Sequence, residues 1–204
     1  GAQAVHWLER AAEQDFPRAF DLLGDCAADG VGMERDPAKA AEYYRRGAEL
    51  DYPPAMVSLG LCYENGRGVE ADPARALELY CRAGERGEPA GACNAGYCYL
   101  TGIGTDPDPA KAIPWLEKSA ERDYPRALDL LGDCCWNGDG VARSDQQAAA
   151  YYRRGADQNY APSLASLGLC YELGRGVVED EAKAAELYRR SAEQGYAYAQ
   201  CNLA

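Results

Sequence analysis

Histidine is almost missing from this chain: His6 is the only one in 204 residues. A zinc site would lack its usual imidazole partners, and no Cys-x-x-Cys pair stands in for them. Long apolar runs are lacking too, since none approaches the roughly 20 residues that a membrane helix requires. The amino terminus has no basic segment followed by an apolar one, so no signal peptide is read there. Positive charge is in short supply. With 21 Lys and Arg against 33 Asp and Glu the formal net charge is −12, and such a chain is repelled by phosphate backbones, so nucleic acid is not an expected partner. There is no Gly-x-Ser-x-Gly and no phosphate-binding Gly-rich loop ending in Lys-Ser or Lys-Thr. With no recognisable catalytic constellation, neither an enzyme nor a cofactor is expected.

What the chain has instead is repetition. Phe16, Tyr52, Glu88, Tyr124, Tyr160 and Tyr196 open successive units, each 36 residues after the last, the sixth truncated. Each unit spells helix, tight loop, helix. Pro17, Pro53, Pro89 and Pro125 sit where a first helical turn tolerates a missing N–H. Gly24, Gly60, Gly132 and Gly168 recur inside the first helix. Since glycine there costs about 1 kcal/mol relative to alanine, they point to a close helix–helix approach with no room for a side chain. A Gly-x-Gly pair then ends the helix, as at Gly30 and Gly32 or Gly174 and Gly176.

Asp36, Asp72, Asp108, Ser144 and Asp180 are N-cap candidates for the second helix. Small residues such as Ala40, Ala76, Ala148 and Ala184 precede Tyr44, Tyr80, Tyr152 and Tyr188 by four, the small-against-large spacing by which hairpins interlock. One hairpin cannot bury its own apolar face, so the units must stack. The expected fold is all-α: a right-handed α/α superhelical solenoid of about five 36-residue helix-turn-helix repeats plus partial repeats at both ends, forming one domain over residues 1–204.

Ala55, Leu59, Gly60, Tyr63, Gly66, Gly68, Val69, Asp72, Ala76, Tyr80 and Gly87 in the second unit match a known pattern. By these residues the chain closely resembles the Sel-one-like repeat family, relatives of the tetratricopeptide repeats, over essentially its whole length. The resemblance implies a non-catalytic adaptor that binds other proteins. Some secreted, cysteine-rich bacterial members staple hairpin boundaries with disulfides between residues eight apart. The corresponding columns here hold Ala48 with Met56, Gly84 with Ala92 and Ala120 with Leu128, so that chemistry is not carried over.

A longer repeat overlies the short one. FPRAFDLLGDC matches YPRALDLLGDC, and AVHWLERAAEQDFPRA is mirrored 108 residues later by AIPWLEKSAERDYPRA. The chain is thus a duplicated three-unit block. Gly1 lies near the start of a second helix and Ala204 inside a first helix, and neither end reads as a polar cap. Two readings stay open: a fragment of a longer array, or chains stacking head to tail through the cut faces. A clean monomer in sedimentation at high concentration counts against the second.

Of nine cysteines, Cys26, Cys62, Cys98, Cys134 and Cys170 share one column. They read as small apolar core residues rather than a metal or redox ladder. Adjacent first helices are expected roughly 8–10 Å apart, beyond the 7 Å or so that permits a disulfide. No disulfide or metal site is therefore expected, and a reducing compartment such as the cytoplasm follows, with export of a bacterial effector into a host cytosol left open.

In the related tetratricopeptide repeats, certain first-helix columns line the concave groove. They correspond here to Asp21, Asp25 and Asp29 in unit one, and to Val57, Leu61, Glu64 and Asn65 in unit two. Unit three supplies Asn94, Tyr97 and Leu100, unit four Asp129, Asp133, Trp136 and Asn137, and unit five Leu169, Glu172 and Leu173. Like charges at i, i+4 destabilise a helix by about 0.2–0.5 kcal/mol, so the two acidic rows require an explanation. One is an ordinary solvated face. The other is a groove for a protein or peptide partner carrying Lys or Arg plus apolar anchors. The arginine pairs Arg45–Arg46, Arg153–Arg154 and Arg189–Arg190 fall on second helices facing solvent, near Glu and Asp that they balance.

Overall fold

The computed structural model describes residues 1–203. Among them every regular element is helical: α1 (Ala2–Ala12), α2 (Pro17–Asp29), α3 (Pro37–Glu49), α4 (Pro53–Asn65), α5 (Pro73–Glu85), α6 (Pro89–Thr101), α7 (Pro109–Ala120), α8 (Pro125–Asn137), α9 (Asp145–Asp157), α10 (Ala161–Leu173), α11 (Glu181–Glu193) and α12 (Ala197–Asn202). Even-numbered helices are the first helices of the repeat and odd-numbered ones the second. The helices gather into two compact units, Gly1–Pro107 and Asp108–Ala204. Within each unit consecutive helices pack in sequence, and first helices also touch one another, α2 with α4, α4 with α6, and α8 with α10.

The second helices start where their caps stand. Asp36, Asp72, Asp108, Ser144 and Asp180 each accept a backbone N–H of the first turn through the side chain, a contribution of about 1 kcal/mol apiece. The first helices have no such cap at Phe16, Tyr52, Tyr124 or Tyr160 and carry proline at their first or second position instead. At their far ends the first glycine of each Gly-x-Gly pair takes the left-handed conformation that closes the helix.

The glycine inside α2, α4, α8 and α10 makes way for a tyrosine of the following helix. At Gly132 an added Cβ would overlap the Tyr152 ring. Tyr152 passes this gap and donates its hydroxyl to Asp133 Oδ1 at 2.8 Å. Tyr44 reaches Asp25 at 2.9 Å, and Tyr80 and Tyr188 reach Glu64 and Glu172 at 2.6 Å. Glycine and tyrosine therefore act as one device that sets the hairpin's spacing and pins an acid on the first-helix face.

The second glycine of each pair does something the sequence does not announce. It lies against the backbone that opens the second helix of the preceding hairpin: Gly68 on Pro37, Gly104 on Pro73, Gly140 on Pro109 and Gly176 on Asp145. Hairpins are joined again at the other end. Arg46 pairs with Asp15 at 3.8 Å, Arg154 with Asp123 at 2.6 Å, and Arg190 with Asn159 at 3.1 Å. These pairs are exposed and worth about 0–1 kcal/mol each, so they set register more than they add stability.

Cys62, Cys98, Cys134 and Cys170 are buried, as the core reading of their column requires, whereas Cys26 is only half-buried. Burial pushes the Cys134 thiol up to about 12 and Cys170 to about 11. A charged thiol reagent at pH 8 is therefore expected to modify exposed Cys201 at once, and Cys134 and Cys170 only once denaturant is added. Rapid modification of Cys134 in the native protein would place it outside the core.

Candidate partner-binding groove

The first-helix face of the second unit carries a groove of about 350 Å³. Asp129, Asp133, Trp136 and Asn137 of α8 line it, joined by Tyr152 of α9, by Ala165, Ser166 and Leu169 of α10, and by Tyr196 and Tyr198 at the start of α12. The α8 residues share a side because steps of four, seven and eight bring side chains to one helix face. Leu173, one turn beyond Leu169, is 52% exposed and stands outside the lining.

Asp129 Oδ1 accepts a hydrogen bond from Ser163 Oγ at 2.9 Å. Burial raises its carboxyl to about 7, the neighbouring charge of Asp133 pushes the same way, and the Ser163 and Ser166 hydroxyls oppose both. Asp133 is exposed. Its carboxyl is also raised, by burial first, against the pull of the Tyr152 hydroxyl, with Asp139 adding to the rise. The groups that set these two acids include no cation. Burial, Asp129 and Asp133 in turn raise the Tyr196 phenol. Trp136 packs at 6.5 Å from Tyr152, ring centre to ring centre, and carries the Arg175 guanidinium 3.3 Å over its ring. Arg175 is itself held by Asp145 through two hydrogen bonds of 2.6 and 3.1 Å.

The first unit has the same acids without the same walls. Asp21 Oδ1 accepts from Ser58 Oγ at 3.1 Å and Asp25 Oδ1 from the Tyr44 hydroxyl at 2.9 Å. Burial and then the charge of Asp25 raise Asp21 to about 6. Ala28 occupies the column of Trp136, and Glu88 and Ala90 those of Tyr196 and Tyr198. Asp29 is exposed, Leu61 is 43% exposed, and Asn65 donates to the carbonyl of Leu61 at 2.9 Å within its own helix. Asn94 and Tyr97 are half-buried on α6. The acidic rows thus have an intramolecular role, accepting hydroxyls from neighbouring helices. In the second unit they also form the floor of a cavity. Sequence reasoning missed Tyr152, Ser166, Tyr196 and Tyr198. Tyr198 was the most visible of these, since its column otherwise holds Arg18, Pro54, Ala90, Arg126 and Pro162.

Among the described residues no group of three or more His, Cys, Asp or Glu is placed to hold a metal ion, and no helix is long and apolar enough to cross a membrane. The sequence profile of the Sel1 repeat matches residues 1–16, 22–52, 53–88, 89–124, 125–160 and 161–196. The chain belongs to the Sel1 repeat family. Among solved Sel1 and related structures, it is similar to a protective antigen of uropathogenic Escherichia coli strains that displays an SLR fold. The two are 34% identical with a TM-score of 0.88 over 99% of this chain, which spans 43% of the Escherichia coli protein. A Sel1 repeat protein from Oxalobacter formigenes is 26% identical with a TM-score of 0.88, over 100% of this chain and 87% of that one. An immunity protein from Pseudomonas aeruginosa is 28% identical with a TM-score of 0.61, over 90% of this chain and 67% of that one. No curated protein matches the chain in sequence. The Sel1 repeat solenoid commonly serves as a protein-interaction scaffold.

Proposed function

We propose that this chain is a scaffold that holds a partner protein against its first-helix face, engaging a segment that carries basic and apolar side chains. The observation that carries this reading is the α8–α10–α12 groove, where two acids without a cation are walled by aromatic and aliphatic side chains. Charge of this kind steers a basic partner and makes its capture salt-sensitive. The test compares the chain with a variant carrying Asp21→Asn, Asp25→Asn, Asp129→Asn and Asp133→Asn as bait at two salt concentrations. A partner identified by mass spectrometry should be lost from the variant and weakened by salt. The same partner on both baits would move the binding surface to the second helices. A second reading, an immunity role, is favoured by the likeness to the Pseudomonas aeruginosa immunity protein. It uses the same face and differs in the identity of the protein captured.

A further inference from the structure

We infer that the groove of the second unit is a pocket for the cationic head of one arginine or lysine side chain, and that the matching position in the first unit is not. This rests on the proposed first-helix binding face and assigns one subsite within it.

The first argument is size. At about 350 Å³ the groove stands at the low end of the roughly 300–1,000 Å³ typical of ligand pockets. That admits one side chain rather than a helix. The second is charge. Asp129 and Asp133 lie one helical turn apart on α8, and their hydrogen-bond partners are the neutral hydroxyls of Ser163 and Tyr152. Hydroxyls orient a carboxylate without neutralising it, so once Asp129 is deprotonated the floor presents negative charge to an incoming cation. The third is the wall. Trp136, Tyr196 and Tyr198 surround that floor with aromatic surface, the lining that an ammonium or guanidinium prefers when it leaves water. The fold shows the preference internally, because Arg175 already lies over the Trp136 ring.

The first unit serves as a control within the same molecule. Asp21 and Asp25 reproduce the floor, down to the hydroxyl donors Ser58 and Tyr44. Ala28, Glu88 and Ala90 replace the three aromatic positions, and Arg18 lowers the Asp21 carboxyl where no cation acts on Asp129. An acidic row is thus present in both units and an aromatic enclosure in one. The ionisable groups facing Asp129 are Asp133 on its own helix, Tyr152 from α9 and Tyr196 ahead of α12, while α10 contributes serine hydroxyls. With its carboxyl near 7, Asp129 must give up a proton to receive a cation at pH 6.

The experiment is a titration of the full chain with capped pentapeptides Ala-Leu-Xaa-Leu-Ala, where Xaa is arginine, lysine or norleucine. Binding is followed by NMR at the Trp136 indole N–H, assigned by comparison with Trp136→Phe. The arginine or lysine peptide should shift that signal saturably and bind at least tenfold more tightly than the norleucine peptide. That advantage should shrink between pH 8 and pH 6. Asp129→Asn with Asp133→Asn should abolish it, and Asp21→Asn with Asp25→Asn should leave it intact. Both double variants are checked for native melting first. Equal binding of the norleucine peptide, an equal loss in the first-unit variant, or no saturable shift overturns the assignment. If these titrations fail while the four-site variant still loses its protein partner, the binding face stands and only the cation pocket falls. If the cation binds and partner capture is unaffected, the reverse holds.

Discussion

Gly176→Ala is expected to destabilise the protein by about 3 kcal/mol, far more than the same change at Gly195. Both glycines sit at positive φ, 72° and 85°. A left-handed backbone costs a non-glycine residue about 1–2 kcal/mol, and that part is common to both positions. Space separates them. A Cβ on Gly176 would overlap the Asp145 carbonyl, whereas one on Gly195 meets nothing within 4 Å. The obstacle at Gly176 is the first turn of α9 rather than a side chain that can swing away, and forced overpacking adds about 1–3 kcal/mol. The column of Gly195 already accepts side chains, since Asp123 and Asn159 occupy it at φ 53° and 58°. Urea denaturation of the two variants against wild type measures the difference. Equal losses would mean that Gly176 supplies only a backbone conformation. The expected gap would show that the Gly-x-Gly pair joins hairpins as well as ending helices. It would also bear on the groove, because the residue held between Gly174 and Gly176 is Arg175, which reaches Asp145 and lies over Trp136.

That second duty of the glycine pair marks where the sequence stops being legible. Period, caps and helix stops are local: Asp72 bonds the N–H of Arg75 three residues on, and Gly66 closes the helix it ends. Such features follow from residue type and spacing alone. The recurring interior glycine is equally readable as a place without room, but the occupant of that room is not. That Tyr152 fills the gap at Gly132 depends on the crossing of α8 and α9, which no local pattern encodes. The Gly68 and Gly176 contacts are longer-range again, running from one hairpin to the start of the one before it.

The groove divides in the same way. Helical spacing puts Asp129, Asp133, Trp136 and Asn137 on one face, and Leu169 follows from its equivalent column. The structure brings all five into one lining. The remaining wall comes from α9, from Ala165 and Ser166 of α10 and from α12, whose approach to α8 is a tertiary fact. Tyr152 reads as a packing residue, which it is, and its hydroxyl is also the donor that holds Asp133. The like-charged rows stand out in the sequence as unusual, but half of their explanation lies inside the fold. Ser58, Tyr44, Ser163 and Tyr152 each present a hydroxyl to one of these acids.

If the groove keeps a buried acid for a partner, removing that charge should stabilise the free protein, and Asp129→Asn is the variant in which this is largest. The Asp129 carboxyl stands at about 7 in the folded chain and near 3.9 in an unfolded one. Between those values the folded state binds more protons than the unfolded state, so this group's contribution to stability is full below about pH 4 and is lost as pH rises through 7. The gap between the two values sets a ceiling of about 4 kcal/mol on that loss. Partial solvent access lowers it, so we expect Asp129→Asn to exceed wild type by about 2 kcal/mol at pH 8 and to equal it near pH 4. Asp21→Asn should behave alike with a smaller gain, its carboxyl being raised only to about 6. Urea midpoints at pH 4, 6 and 8 read the divergence directly. Asp108, Asp145 and Asp180, whose carboxyls are lowered, titrate in the opposite sense in every variant and cancel in the difference. Were Asp129→Asn less stable than wild type at pH 8, its hydrogen bond from Ser163 would outweigh the cost of burial, and the acid would be a structural tie. A gain confined to high pH would instead mean that the fold carries an uncompensated charge there, at a cost that protonation removes at low pH and a bound cation would relieve at high pH.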